Sequence, residues 1–238
     1  MTETQGRPGE SIIPWLRRTV GRIVDSALWR TAGGSSKFWE LHYRMGGTSG
    51  PGSVGALGAY KASFINDFVR QNGIVDVIEF GCGNGDQLME AEYPTYIGLD
   101  VSEAVLRQVM ERFAGDETKS FFLYRPDTFR DNAGVLRAQL TLSLDVIFHL
   151  TEDDVYQKYM GDLFGASSHY VIVYSSNTDQ RKTEVRYTTH RRFTDDVARM
   201  GGWRLVLEQP NPFSHATDSL FFVYERAANS GDGTSIGS

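Results

Sequence analysis

Val75-Asp76-Val77-Ile78-Glu79-Phe80-Gly81-Cys82-Gly83-Asn84-Gly85 is the stretch that decides how this chain folds. Its first six residues are apolar apart from Asp76 and Glu79 and read as a strand, which runs directly into alternating glycines. A turn this tight needs residues without Cβ, because the backbone must adopt unusual dihedrals and let a ligand come close. A helix is expected straight after it, whose first amides could hold a carboxylate or a phosphate. The dinucleotide fingerprint G-x-G-x-x-G would require glycine where Asp86 stands. The pattern G-x-G-x-G points instead to a nucleoside cofactor without a pyrophosphate, since Glu79 would be badly placed beside a diphosphate.

Downstream, short runs rich in β-branched and aromatic residues alternate with helical segments: TYIGLD, SFFLY, LTLSLD, YVIVYSS, WRLVLEQ and SLFFVYE. That rhythm predicts a largely parallel sheet covered on both faces by helices. The last two runs are joined by PNPFSHATD, with no helix between them, and are expected to pair antiparallel. Upstream, Leu57, Tyr60, Lys61, Phe64, Ile65, Phe68 and Val69 recur at helical spacing. So do Ile13, Leu16, Val20, Ile23, Val24 and Ala27 between Ser11 and Arg30, an amphipathic helix suited to packing on its own domain, to a homodimer contact or to a membrane surface. The organisation expected is a disordered segment 1–10, helices and a Gly-rich lid over 11–70, a core over 71–226 and a disordered tail 227–238, with one core in all.

Composition narrows the function classes. With 24 Lys and Arg against 30 Asp and Glu, the net charge of -6 repels polyanions, which argues against nucleic acid as a partner. The single cysteine, Cys82, excludes an internal disulfide or a multi-cysteine zinc site. There is no transmembrane run and no signal peptide, so a cytoplasmic location is expected.

The second strand ends at Asp100, nineteen residues after Gly81, where a carboxylate can accept both hydrogen bonds of a ribose diol. The alternative use of Asp100, capping the next helix, is better served by Ser102. Asp145 ends the fourth strand and His149 lies four residues on, so both fall at the carboxyl edge of the sheet. An imidazole near its free pKa could take a hydroxyl proton there, with Asp145 orienting or balancing it.

VIEFGCGNGDQL, YIGLDVS and LTLSLDVIFHL resemble the first, second and fourth motifs of class I S-adenosylmethionine-dependent methyltransferases, and the resemblance runs from Phe38 to Glu225. It implies a Rossmann-like α/β fold with a seven-stranded, mostly parallel sheet, an antiparallel last strand and an N-terminal lid. It also implies S-adenosylmethionine as cofactor, held by Tyr43, Arg44, Gly47, Lys61, Glu79, Gly81, Cys82, Gly83, Asp100, Val101 and Leu144. Among these, Tyr43, Arg44 and Lys61 are candidates for the methionine carboxylate, and Trp39 reads equally as lid or core. WELHYRMGGTSGPGSVG, LSLDVIFHLTEDDV, VYSSN and HRRFTDDV are further similar to actinobacterial sugar O-methyltransferases, implying a small hydroxylated acceptor. Asp145 and His149 would then be catalytic, and Asn177, His190 and Arg191 would bind the acceptor. Asp145, His149, Glu152 and Asp153 could also hold magnesium, an oxygen-preferring cation. The alternatives left open are a thiol, amine or carboxylate acceptor, and cofactor binding without catalysis.

Overall fold

The computed structural model describes residues 24–180 and 187–228. Residues 24–32 form α1, followed by α2 (Ser35–Arg44) and α3 (Gly55–Gln71). The helical reading of Ser11–Arg30 therefore holds over its last residues, while 11–23, the segment 1–10 and most of the 227–238 tail lie outside the described residues. The remaining elements are β1 (Asp76–Phe80), β2 (Thr95–Asp100), α4 (Glu103–Arg112), β3 (Lys119–Leu123), β4 (Ala138–Leu144), α5 (Asp153–Gly165), β5 (Ser167–Ser175), α6 (Phe193–Met200), β6 (Trp203–Gln209) and β7 (Leu220–Arg226).

Each run picked out for its β-branched and aromatic content is a strand of one seven-stranded sheet, in the order β3-β2-β1-β4-β5-β7-β6. Pairing is parallel from β3 through β5. β7 inserts antiparallel between β5 and β6, as the helix-free connection before it requires. Along the strands, successive side chains fall into two cores, one on each face of the sheet. Ile78, Val171 and Val173 pack with Tyr159, Met160 and Leu163 of α5 and with Phe193 of α6. Val77, Leu142 and Ile172 pack with Ile65 and Val69 of α3 and with Leu106 and Val109 of α4. The strands β1, β4, β5 and β7 are largely buried on both sides and so read as nearly continuous apolar runs, while the edge strand β6 is exposed from Arg204 to Glu208. No described helix is long and apolar enough to cross a membrane.

The helix expected after Gly85 does not form. A single 3-10 turn, Gln87–Glu90, takes its place, because only four residues then remain before β2 and one of them is Pro94. The next helix follows its sequence signals closely. Ser102 caps α4 by accepting from the Val105 amide at 3.2 Å, as expected from its position.

Leu142 lies fully buried on β4, paired with β1 on one side and β5 on the other. Leu142→Ala is expected to cost about 3 kcal/mol, read as a lower midpoint in urea unfolding followed by circular dichroism.

Candidate functional site

At the carboxyl edge of the sheet lies a cavity of about 660 Å³. Its floor is the turn after β1, and the structure shows how that turn is held. The Leu99 carbonyl accepts from the Gly81 and Cys82 amides at 2.7 and 3.0 Å, and Asp100 Oδ2 accepts from the Gly83 amide at 3.0 Å. The Asn84 amide donates to Ser49 Oγ, and the Gly85 amide to the Cys82 carbonyl. All five amides of the turn are thus engaged within the protein. With no helix after them, the expectation of an anion cradle at a helix start is overturned.

Positive φ angles at Gly81 and Gly83 make this wiring possible. Gly83 carries a second constraint: a Cβ there would sit 2.2 Å from Ser49 Oγ and 3.1 Å from the Tyr43 hydroxyl. The segment after α2 touches the glycine turn at this point. Ser49 Oγ donates to Asn84 Oδ1 at 2.7 Å and accepts from the Asn84 amide, so its contact with Tyr43 at 3.1 Å must be a bond donated by the tyrosine.

The helix α2 is fastened at its first residue and at its middle. Its Ser35 amide donates to Glu152 Oε1 at 2.7 Å, next to α5. Glu40 Oε2 accepts from Ser102 Oγ and the Ala104 amide at the start of α4. This positions Trp39, Tyr43 and His42 on the cavity wall, which also settles Trp39 as a lid residue. Trp39 meets the His149 ring edge-to-face at 4.8 Å.

Of the residues expected from the sequence, Tyr43, Lys61, Glu79, Gly81, Cys82, Gly83, Asp100, Val101, Leu144, Asp145 and His149 line this one cavity. Arg44 and Gly47 do not. Arg44 is exposed, because one residue along a helix rotates by about 100° and turns its side chain away from the wall that Tyr43 faces. Gly47 packs on the His42 ring instead. Asn177, His190 and Arg191 also lie off the wall. Asn177 Oδ1 accepts from the Thr194 amide at the start of α6, and His190 Nδ1 bonds Ser176 Oγ at 2.6 Å. The Arg191 guanidinium donates to the Leu150 and Thr151 carbonyls and stacks over Tyr156. The wall they were expected to form is built from Asp25, Pro51, Phe148, Tyr187, Ala216 and Thr217. Sequence reading missed Asp25, His42 and Ser49, whose partners stand 6 to 35 positions away and leave no spacing signal.

The charges here are unusual. Burial pushes the Glu79 carboxyl up to about 7, against the pull of a 2.6 Å bond from the Tyr96 hydroxyl. Burial also raises Asp100, to about 6, although the Ser102 and Gly83 amides hold its charged form. Lys61, fully buried, donates to Asp145 Oδ2 at 2.8 Å. Asp145 is the one non-glycine residue with positive φ (59°) among the described residues, a costly backbone state of the kind found at functional sites. Its carboxylate accepts from Lys61 and makes no hydrogen bond to His149, so of the two roles expected for it the orienting one is not met, while its charge still favours the protonated His149 ring. The partner that orients His149 is the Tyr187 carbonyl, 3.3 Å from Nδ1. Desolvation drives His149 down to about 4, well below its free value, so the ring is neutral near pH 7 with its proton on Nδ1 and a lone pair on Nε2.

The proposed magnesium set does not converge. Asp145 is held by Lys61, Glu152 by Ser35 and Thr151, and Asp153 pairs with Arg191 at the surface. Among the described residues no group of three or more His, Cys, Asp or Glu could hold a metal ion.

No family model matches the chain, and no curated protein matches it either. Solved structures do. The methyltransferase domain of bacterial CtHen1-C superposes with a TM-score of 0.56 at 20% identity, covering 71% of this chain and 98% of that one. Magnesium protoporphyrin IX methyltransferase from Synechocystis PCC 6803 with bound S-adenosylmethionine gives 0.57 at 14% identity, covering 85% and 97%. The mitomycin 7-O-methyltransferase MmcR gives 0.57 at 16%, covering 90% and 69%. The fold is that of the S-adenosylmethionine-dependent methyltransferases. At such identities the likeness speaks for the fold alone.

Two outcomes follow from this geometry. Gly83→Ala, with its positive φ and its Cβ driven into Ser49, is expected to lower the melting temperature by several degrees in ligand-free thermal scans while the far-ultraviolet dichroism at 25 °C is kept. The raised pKa of Glu79 means that the folded state holds its proton more tightly than the unfolded chain. Stability from this group is therefore present at acid pH and lost as pH rises from the ordinary glutamate range through about 7. Glu79→Gln should accordingly melt higher than the wild type at pH 8 in ligand-free thermal scans, with the difference vanishing near pH 4.

Proposed function

We propose that the protein transfers the methyl group of S-adenosylmethionine to a hydroxyl of a small sugar, the 1-hydroxyl of a short 3-O-methylated mannoside, as in methylmannose polysaccharide synthesis. The observation that carries this reading is a neutral His149, tied through Nδ1 to the Tyr187 carbonyl, on the wall of the cavity that the Gly81–Gly83 turn and Asp100 also line.

The cavity chemistry fits the cofactor. On its wall Asp145 is paired with Lys61, Asp25 with His42 and Asp86 with Arg112, which leaves Asp100 and the partly ionised Glu79, an acidic remainder that suits a sulfonium and an ammonium rather than a polyphosphate. Asp100 would take the ribose diol, and the glycines would allow the close approach. The cofactor supplies a methyl carbon already activated by positive sulfur, so the chain's own work is alignment and exclusion of water. The acceptor oxygen forms a bond to the methyl carbon as the carbon–sulfur bond breaks, and the hydroxyl proton passes to His149 Nε2. A base with so low a pKa suffices, because the acceptor oxygen becomes a strongly acidic oxonium as the methyl arrives. The hemiacetal 1-hydroxyl is also more acidic than an ordinary secondary alcohol.

Trp39, Phe148 and Tyr187 offer flat faces to the carbon–hydrogen face of a pyranose, and Asp25 and Thr217 offer polar edges to its hydroxyls. A second reading, a less hydroxylated metabolite, is favoured by the removal of Asn177, His190 and Arg191 from the wall. Any homodimer, and a location in the cytoplasm, remain part of this proposal.

The test is methyl transfer from labelled S-adenosylmethionine to a panel containing 3-O-methylated mannosides, phenols, thiols and amines. Label is expected on the mannoside, unaffected by EDTA. His149→Ala should lower kcat by about 10² to 10⁴ with unchanged affinity for S-adenosylhomocysteine. The wild-type kcat should show the ionisation of His149 near pH 4 and none from this residue between pH 5.5 and 8.5. Label on phenols or amines alone would retire the sugar acceptor.

A further inference from the structure

His42 makes no contribution to the chemistry above, yet its surroundings are specific. Its Nδ1 lies 3.0 Å from Asp25 Oδ1 on α1, and its Nε2 lies 3.1 Å from the carbonyl of Thr48 in the loop that closes the cavity. A carboxylate and a peptide carbonyl can only accept. Neutral imidazole carries one N–H and could satisfy one of them; both bonds coexist only on the imidazolium, which donates from both nitrogens. The chain passes directly over this ring at Gly47, where a Cβ would sit 2.2 Å from His42 Nε2. Thr48 is followed by Ser49, which is bonded to Asn84 in the cofactor turn. An unbroken run of contacts therefore leads from Asp25 through His42, Thr48 and Ser49 to the turn beneath the cofactor.

We propose that His42 is a positioning residue, a cationic latch that fastens the lid loop at Thr48 to Asp25 on α1 and so holds the lid closed over the bound cofactor. The groups facing it support a cation. Asp25 contributes a negative charge from α1, Tyr43 stands beside it on α2, and His149, on the far side of Trp39, is neutral. The aromatic rings of Phe38 and Trp39 complete its surroundings at 5.9 and 5.2 Å. A ring with a single N–H would leave one of the two bonds unmade and release the loop at Thr48 from α1 or the ring from Asp25.

Two measurements test the latch on the full chain. The first is the nitrogen-15 spectrum of labelled histidines in the ligand-free wild type at pH 6, where His42 is expected to show both ring nitrogens protonated. The second is calorimetric affinity for S-adenosylhomocysteine, which rests on the cofactor reading above. His42→Gln, which offers donors from one atom only, should bind about tenfold more weakly than the wild type at pH 6, the size of one charge-assisted bond. Asp25→Asn keeps an acceptor but removes the charge, and should weaken binding at pH 6 in the same direction. A His42 ring with a single N–H at pH 6, or a His42→Gln variant that binds as tightly as the wild type there, overturns the latch. If neither protein binds S-adenosylhomocysteine at any pH, the cofactor reading fails, and the nitrogen-15 spectrum still decides the protonation on which the latch depends.

Discussion

The end of β2 governs the rest of the site. Leu99 offers its carbonyl to two amides of the glycine turn, and Asp100 offers one carboxylate oxygen to the Gly83 amide and the other to the Ser102 amide. Two neighbouring residues thereby fix both the turn after β1 and the start of α4. The wiring consumes the amides that a phosphate-binding loop would turn outward. What remains toward the cavity is acidic, with Asp100 and Glu79 foremost.

From this anchor the lid gains its footing. α2 is tied to Glu152 beside α5 and, through Glu40, to the same Ser102 that caps α4. A helix held at its start and its middle is part of the frame; the 46–54 loop that follows is joined to the frame by small contacts at Thr48 and Ser49. Chemistry that must exclude water needs such a division between a rigid wall and a closing segment. The Lys61–Asp145 pair belongs to the wall. Its burial is tolerable because each charge has the other at 2.8 Å, and Asp145 takes a strained backbone to provide it.

The histidines illustrate how environment separates similar groups. His149 sits among Trp39, Phe148 and a single carbonyl acceptor, and desolvation makes it neutral. His42 stands between a carboxylate and a carbonyl, two acceptors that together call for the charged ring. Trp39 touches both rings, edge-to-face at 5.2 and 4.8 Å.

Much of this was legible in the chain itself. Strand positions, the antiparallel return, the Ser102 cap and the placing of Asp100, Asp145 and His149 at the carboxyl edge follow from periodicity, turn chemistry and position relative to strand ends, all of which act within a few residues, whereas Tyr43, Lys61 and Glu79 joined them only through the resemblance to class I methyltransferases. Only the tertiary structure decided that the glycine turn leads into a 3-10 turn, that Asp145 bonds Lys61 and reaches His149 through its charge alone, and that Arg44, Asn177, His190 and Arg191 leave the cavity to others. Those outcomes rest on which atoms come within about 3 Å across long stretches of sequence, as with Lys61 and Asp145, which are 84 positions apart. Local pattern carries the direction of a strand or helix, but a hydrogen bond or ion pair goes to whichever partner packing brings within reach, and that partner is set by the whole fold.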